Sequence, residues 1–152
     1  MSKMSRNKGA AAEREVFKII RDVTGIEVKR NLDQYQESDS DCHVLGFCIE
    51  IKRVEELRLK SWWAQVVEVA KKHNEVPVLI YRQSRQQWRA VLPWVSTSYL
   101  CHVDEPSLPE SFMDYEYTQT VFLDPVFTML LSESETGQRA IAEAEALLNT
   151  QH

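Results

Sequence analysis

Apolar positions along this chain switch between two periods, and each switch marks an element. In residues 9–24, Val16, Phe17, Ile19, Ile20 and Val23 fall on one stripe at helical spacing, which predicts an amphipathic helix with Gly25 as its C-cap. Residues 26–30 read as a short strand, and the polar, turn-rich stretch 31–40 as a loop. Residues 42–45 and 47–53 read as two strands joined tightly at Gly46. The run Phe47-Cys48-Ile49-Glu50-Ile51-Lys52-Arg53 has the β-branched and aromatic content of a buried strand. Residues 59–73 predict a second helix whose apolar face is Leu59, Trp62, Trp63, Val66, Val69 and Ala70. A buried strand follows at 77–81, with Pro77 tolerated near its start, and another at 88–92 stops at Pro93. The order is therefore helix, three strands, helix, then at least one strand (α-β-β-β-α-β).

Beyond residue 93 the periodicity fades. Residues 104–109 hold two prolines among acids and read as a loop. Residues 124–131 fit a short helix, and 136–149, rich in Ala, Glu and Leu, a longer one. The division is a core over 1–93, with a basic N-terminal arm, and a C-terminal helical extension over 94–152 packed on that core.

The 152 residues suffice for one hydrophobic core and do not require two. Charge sharpens the division. Residues 1–90 hold 17 Lys/Arg against 13 Asp/Glu, whereas 91–152 hold one Lys/Arg (Arg139) against 10 Asp/Glu. The overall net charge of −5 hides a basic first part, compatible with nucleic acid, and an acidic tail that can meet a protein partner. No apolar run approaches the ~20 residues that span a bilayer, and the basic N-terminus is not followed by a signal-peptide core. The expected location is the cytoplasm, that of a host if the chain is phage-encoded. The three cysteines, Cys42, Cys48 and Cys101, show no Cys-x-x-Cys pair and no His at zinc-ligand spacing, so reduced thiols and no zinc site are expected.

The candidate chemistry centres on Asp41, Glu50 and Lys52. On a strand, Glu50 and Lys52 point to one face while Ile49 and Ile51 point into the core. A carboxylate and an ammonium there are costly to desolvate unless paired. Asp41, Glu50, Lys52 and a divalent cation would balance one another, as in a metal-dependent phosphodiesterase. The plainer alternative is a solvated ion pair on a half-exposed strand. Glu13 lies on the edge of the first helix's stripe, where it can reach inward to such a site or serve as a first-turn acid at the helix dipole. Gln65 borders the apolar face of the second helix, where its amide can bond carboxylate, water or phosphate. Trp62 and Trp63 read as core packing ahead of base-stacking platforms. Arg30 and Asn31 are donor-rich and can contact phosphate; Arg82, at a strand end, can face either a site or solvent.

Several motifs then occur in one order: Lys8-Gly9, Glu13-Arg14-Glu15, Arg30-Asn31-Leu32-x-Gln34, Asp41, Ile49-Glu50-Ile51-Lys52-Arg53, Trp62-Trp63-x-Gln65 and Pro77-x-Leu79-x-Tyr81-Arg82. Over residues 6–93 the chain resembles the PD-(D/E)xK nuclease superfamily, and within it the phage-type, Holliday-junction-resolvase-like endonucleases. The resemblance implies an α/β, restriction-endonuclease-like core, a mixed central sheet flanked by helices. It implies a metal site of Asp41, Glu50, the Ile51 carbonyl and Glu13, with Lys52 as the catalytic lysine and Gln65 supporting the site. Candidate DNA contacts are Lys8, Arg30, Asn31, Gln34, Arg53 and Arg82. It further implies a Mg²⁺ cofactor that Mn²⁺ can replace, and cleavage of branched DNA to 5′-phosphate and 3′-hydroxyl ends. Cutting two symmetric strands of a junction calls for two sites and hence a homodimer. Same-fold cleavage of linear or flapped DNA, and a non-enzymatic module using the acidic tail, are the alternatives. The chain departs from the pattern just before Asp41, where Asp39-Ser40 replaces the usual small residues.

Overall fold

A computed structural model describes residues 3–28, 42–44, 46–93, 113–124 and 135–150. Helix α1 (Lys3–Thr24) is followed by strands β1 (Cys42–Val44) and β2 (Phe47–Arg53), helix α2 (Leu59–His73), and strands β3 (Val76–Arg82) and β4 (Arg89–Pro93). A 3₁₀ turn (Tyr115–Tyr117) leads into β5 (Thr118–Phe122), and α3 (Glu135–Thr150) comes last. No helix among the described residues is long and apolar enough to cross a membrane.

The five strands form one mixed sheet in the order β1-β2-β3-β4-β5. The β1/β2, β3/β4 and β4/β5 pairs are antiparallel, and β2/β3 is parallel. A parallel pair cannot be joined by a tight turn, so α2 serves as the crossover. Left-handed backbone closes the junctions that need it. Gly25, at φ +74°, ends α1 with its N–H on the Arg21 carbonyl, 2.8 Å away. Asn74, at φ 52°, caps α2 in the same conformation, and Lys71, Lys72 and His73 complement the negative end of its dipole.

Strand alternation divides the interior in two. Phe47, Ile49, Ile51, Val78, Ile80, Ala90 and Leu92 face α1, whose Ala12, Val16 and Ile20 complete that layer. Cys48, Leu79, Tyr81 and Val91 face the other way, onto Trp62, Trp63, Val66, Val69 and Ala70 of α2. Each large apolar side chain buried this way contributes roughly 1.5–3 kcal/mol. Trp62 and Trp63 are core residues, as expected, and the buried Trp63 indole donates to the Met113 carbonyl at 2.7 Å.

The α/β class and the mixed sheet between helices are as expected, but three element readings change. Helix α1 begins at Lys3, six residues before the expected start at residue 9, because polar residues extend a helix without leaving a periodic signal. The strand expected at 26–30 is absent over 26–28. There the Ile26 N–H is taken by Thr24 Oγ1 at 3.1 Å, a local bond that replaces a sheet partner. Strand β5, which contains only Val121 and Phe122 as apolar residues, was not expected and joins the sheet edge through its ladder with β4. The expected short helix at 124–131 lies, apart from Asp124, outside the described residues, as does Cys101.

Candidate active site

Glu50 and Lys52 occupy consecutive positions on the α2 face of β2, continuing the line begun by Cys48. Lys52 Nζ lies 3.0 Å from Glu50 Oε1, and the two side chains are 29% and 19% exposed. The ammonium stands 6.0 Å from the centroid of the Trp62 ring. An ion pair so placed is partly desolvated, with aromatic surface on one side and an opening to solvent on the other. Ile49 and Ile51 point into the α1 layer, as the alternation requires, so the backbone of β2 divides the charged line from the apolar one.

Glu13 is the one buried charged side chain among the described residues, at 8% exposure. It falls inside the helical stripe that Val16 and Ile20 define. Glu15, about 160° around the helix from it by the 100° step, leaves α1 on another side. Glu15 Oε1 accepts from Arg82 Nη1 and from Trp88 Nε1, both at 2.9 Å. The Arg82 guanidinium also lies 5.4 Å from the Trp88 ring. Nothing in the sequence marks this contact, because Arg82 and Trp88 lie 67 and 73 positions from Glu15.

The remaining predicted residues are distributed as follows. Gln65 is exposed on α2, three residues beyond Trp62 and therefore on the same side of the helix. Lys8 is exposed on α1. Arg53 ends β2 half-buried and is the register partner of Arg82 at the end of β3. Ile51 is buried. Asp41, Arg30, Asn31 and Gln34 lie outside the described residues; Asp41 immediately precedes Cys42, which pairs with Ile49 next to Glu50.

A family model described as "Phage putative PDDEXK endonuclease" matches residues 4–138, nearly the whole chain. The chain belongs to this phage PD-(D/E)xK endonuclease family. The match runs beyond the 6–93 core to include β5, consistent with that strand's place in the sheet. The nuclease is also similar to Protein D14 of Escherichia phage T5, with 29% identity over 113 residues, covering 58% of this chain and 70% of that protein. Membership makes DNA the substrate class, and PD-(D/E)xK nucleases usually use divalent metal ions.

The donor chemistry of this nuclease fits such an ion. Glu50, already paired with Lys52, offers carboxylate oxygens, the ligands that hard divalent cations prefer.

Proposed function

We propose that the chain is a Mg²⁺-dependent endonuclease that hydrolyses phosphodiester bonds in branched DNA. The observation that carries this reading is the Glu50–Lys52 pair, 3.0 Å apart and partly buried on one sheet face. Asp41, Glu50, Glu13 and the Ile51 carbonyl would hold the ion, and Mn²⁺ would substitute for Mg²⁺. When bound, the ion supplies Lewis acidity and lowers the pKa of water. Lys52 orients the attacking water or stabilises charge developing on the phosphoryl oxygens, from a position that Glu50 and the Trp62 ring define. Gln65 supports the site from α2.

DNA would reach this site by phosphate contacts from Lys8, Arg30, Asn31, Gln34, Arg53 and Arg82. Arg53 and Arg82 are register partners at the ends of β2 and β3, with Arg82 also donating to Glu15. The preference for branched DNA follows from the resemblance to junction resolvases, and a homodimer supplies the second site that paired incisions need. The acidic residues after position 90 would leave the DNA-facing part free and offer a surface to a basic protein partner.

The test is cleavage of four-way, flapped and linear DNA of matched sequence, with Mg²⁺ or with chelator. Paired nicks in the four-way junction bearing 5′-phosphates, absent with chelator, are expected. Equal cutting of linear duplex would overturn the preference for branches and leave the nuclease standing. No cutting of any substrate would overturn the reading itself.

A further inference from the structure

A second group of metal-ligating side chains lies two positions along β2 from Glu50. The antiparallel register of β1 and β2 sets His43 directly across from Cys48. Residues paired across a ladder project to the same face, here the face covered by α2. Glu75, in the turn between α2 and β3, comes up beside them, and a ligand atom from each of His43, Cys48 and Glu75 lies within 4.8 Å of the others. His43 Nδ1 is hydrogen-bonded to Glu75 Oε1. His73, the last residue of α2, brings its ring to 4.6 Å from that of His43.

We propose that His43, Cys48 and Glu75 form a Zn²⁺ site distinct from the acidic site, with a fourth position open to His73 or water. The donor set decides the ion. One thiolate, one imidazole and one carboxylate suit a borderline-soft ion that accepts mixed ligands, whereas Mg²⁺ favours oxygen alone. Bond lengths of about 2.3 Å to sulfur and 2.0–2.1 Å to nitrogen set the ligand atoms roughly 3–4 Å apart, a spacing that small rotations of the His43 and Glu75 side chains can reach. On binding, the ion would stand between His43 Nδ1 and the Glu75 carboxylate, with the neutral imidazole carrying its proton on Nε2, and the Cys48 thiol would release its proton to solvent.

Strand alternation also explains why the other thiol of this hairpin takes no part. Cys42 pairs with Ile49 and is buried in the α1 layer, on the opposite face of the sheet. The ion would join the three-residue edge strand β1 to β2 and to the α2–β3 turn. By strand rise it would sit about 7 Å along β2 from Glu50. Its role would be to fix the strand that begins one residue after Asp41.

The inference is independent of cleavage and is tested by metal binding to the full, reduced, metal-stripped chain. Titration with Co²⁺ is expected to give a thiolate-to-metal charge-transfer band saturating at one equivalent, displaced by Zn²⁺. Cys48→Ser should abolish the band, and His43→Ala and Glu75→Gln should weaken Co²⁺ binding by at least about tenfold. Cys101→Ser and Glu50→Gln should leave it unchanged. If the fully buried Cys48 cannot be replaced without unfolding, the His43 and Glu75 variants decide. No band at one equivalent, a band surviving in folded Cys48→Ser, or full-strength binding by both His43→Ala and Glu75→Gln would overturn the proposal. So would a band lost in Glu50→Gln, because the ion would then belong to the acidic site.

Discussion

Arg82 Nη1 donates to Glu15 Oε1 at 2.9 Å, tying the end of β3 to α1 across 67 residues of chain. Trp88 donates to the same oxygen, so one carboxylate holds both a strand end and the segment leading into β4. Glu15 is 43% exposed, and solvent screens the pair. Glu15→Ala should therefore cost only about 1 kcal/mol. A lowered urea midpoint with an unchanged slope would show it. A midpoint equal to that of the native sequence would mean that the contact adds no stability.

Glu13 separates stability from activity. Replacing this buried carboxylate by Gln keeps its size and hydrogen-bonding capacity while removing its charge, so stability in the absence of divalent ions should change by no more than about 1 kcal/mol. The same change should reduce cleavage at least about tenfold. Thermal unfolding and a cleavage assay on one preparation check both halves. Lower stability combined with full activity would make Glu13 a structural residue.

Glu116 should titrate below the usual carboxylate range. Its hydrogen bond with Lys60, 3.0 Å away, favours the charged form, reinforced by its own backbone and by the Lys60 charge. With the folded pKa lowered, any stability that the pair contributes is present above the unfolded carboxylate pKa. It is lost as pH falls through the folded value. Carboxyl-resolved NMR titration should find the Glu116 pKa returning toward the ordinary value in Lys60→Met.

The sequence made the charged line on β2 legible because alternation depends only on the strand period, which Ile49-Glu50-Ile51-Lys52 follows. The α1 stripe and the α2 face were legible for the same reason. What periodicity could not give was partnership between distant segments. Glu15 meets Arg82 and Trp88, and His43 meets Cys48 and Glu75, only because the β1/β2 register and the packing of α1 bring them together. Spacing along the chain gave no sign of a zinc site, whereas the ladder sets an imidazole opposite a thiol. Strand β5 was missed because half-exposed edge positions tolerate Thr and Gln, leaving little apolar contrast to read.

Phosphate contacts can be counted by salt. If Lys8 and Arg53 each neutralise a phosphate, Lys8→Ala and Arg53→Ala should weaken binding to all DNA shapes alike. Each should also reduce the slope of log affinity against log salt by about one. Affinity measured over a range of salt in Ca²⁺, to limit cutting, checks this. Slopes identical to that of the native sequence would remove these residues from the interface.

Lys52 tests the central claim most directly. Lys52→Ala removes the ammonium 3.0 Å from Glu50 while leaving the apolar layers of the sheet in place. Single-turnover cleavage of a four-way junction in Mg²⁺, with binding measured in parallel, is the decisive experiment. The account predicts a loss of at least about a hundredfold in rate with junction affinity nearly retained. Cleavage by Lys52→Ala at the rate of the native sequence would contradict it.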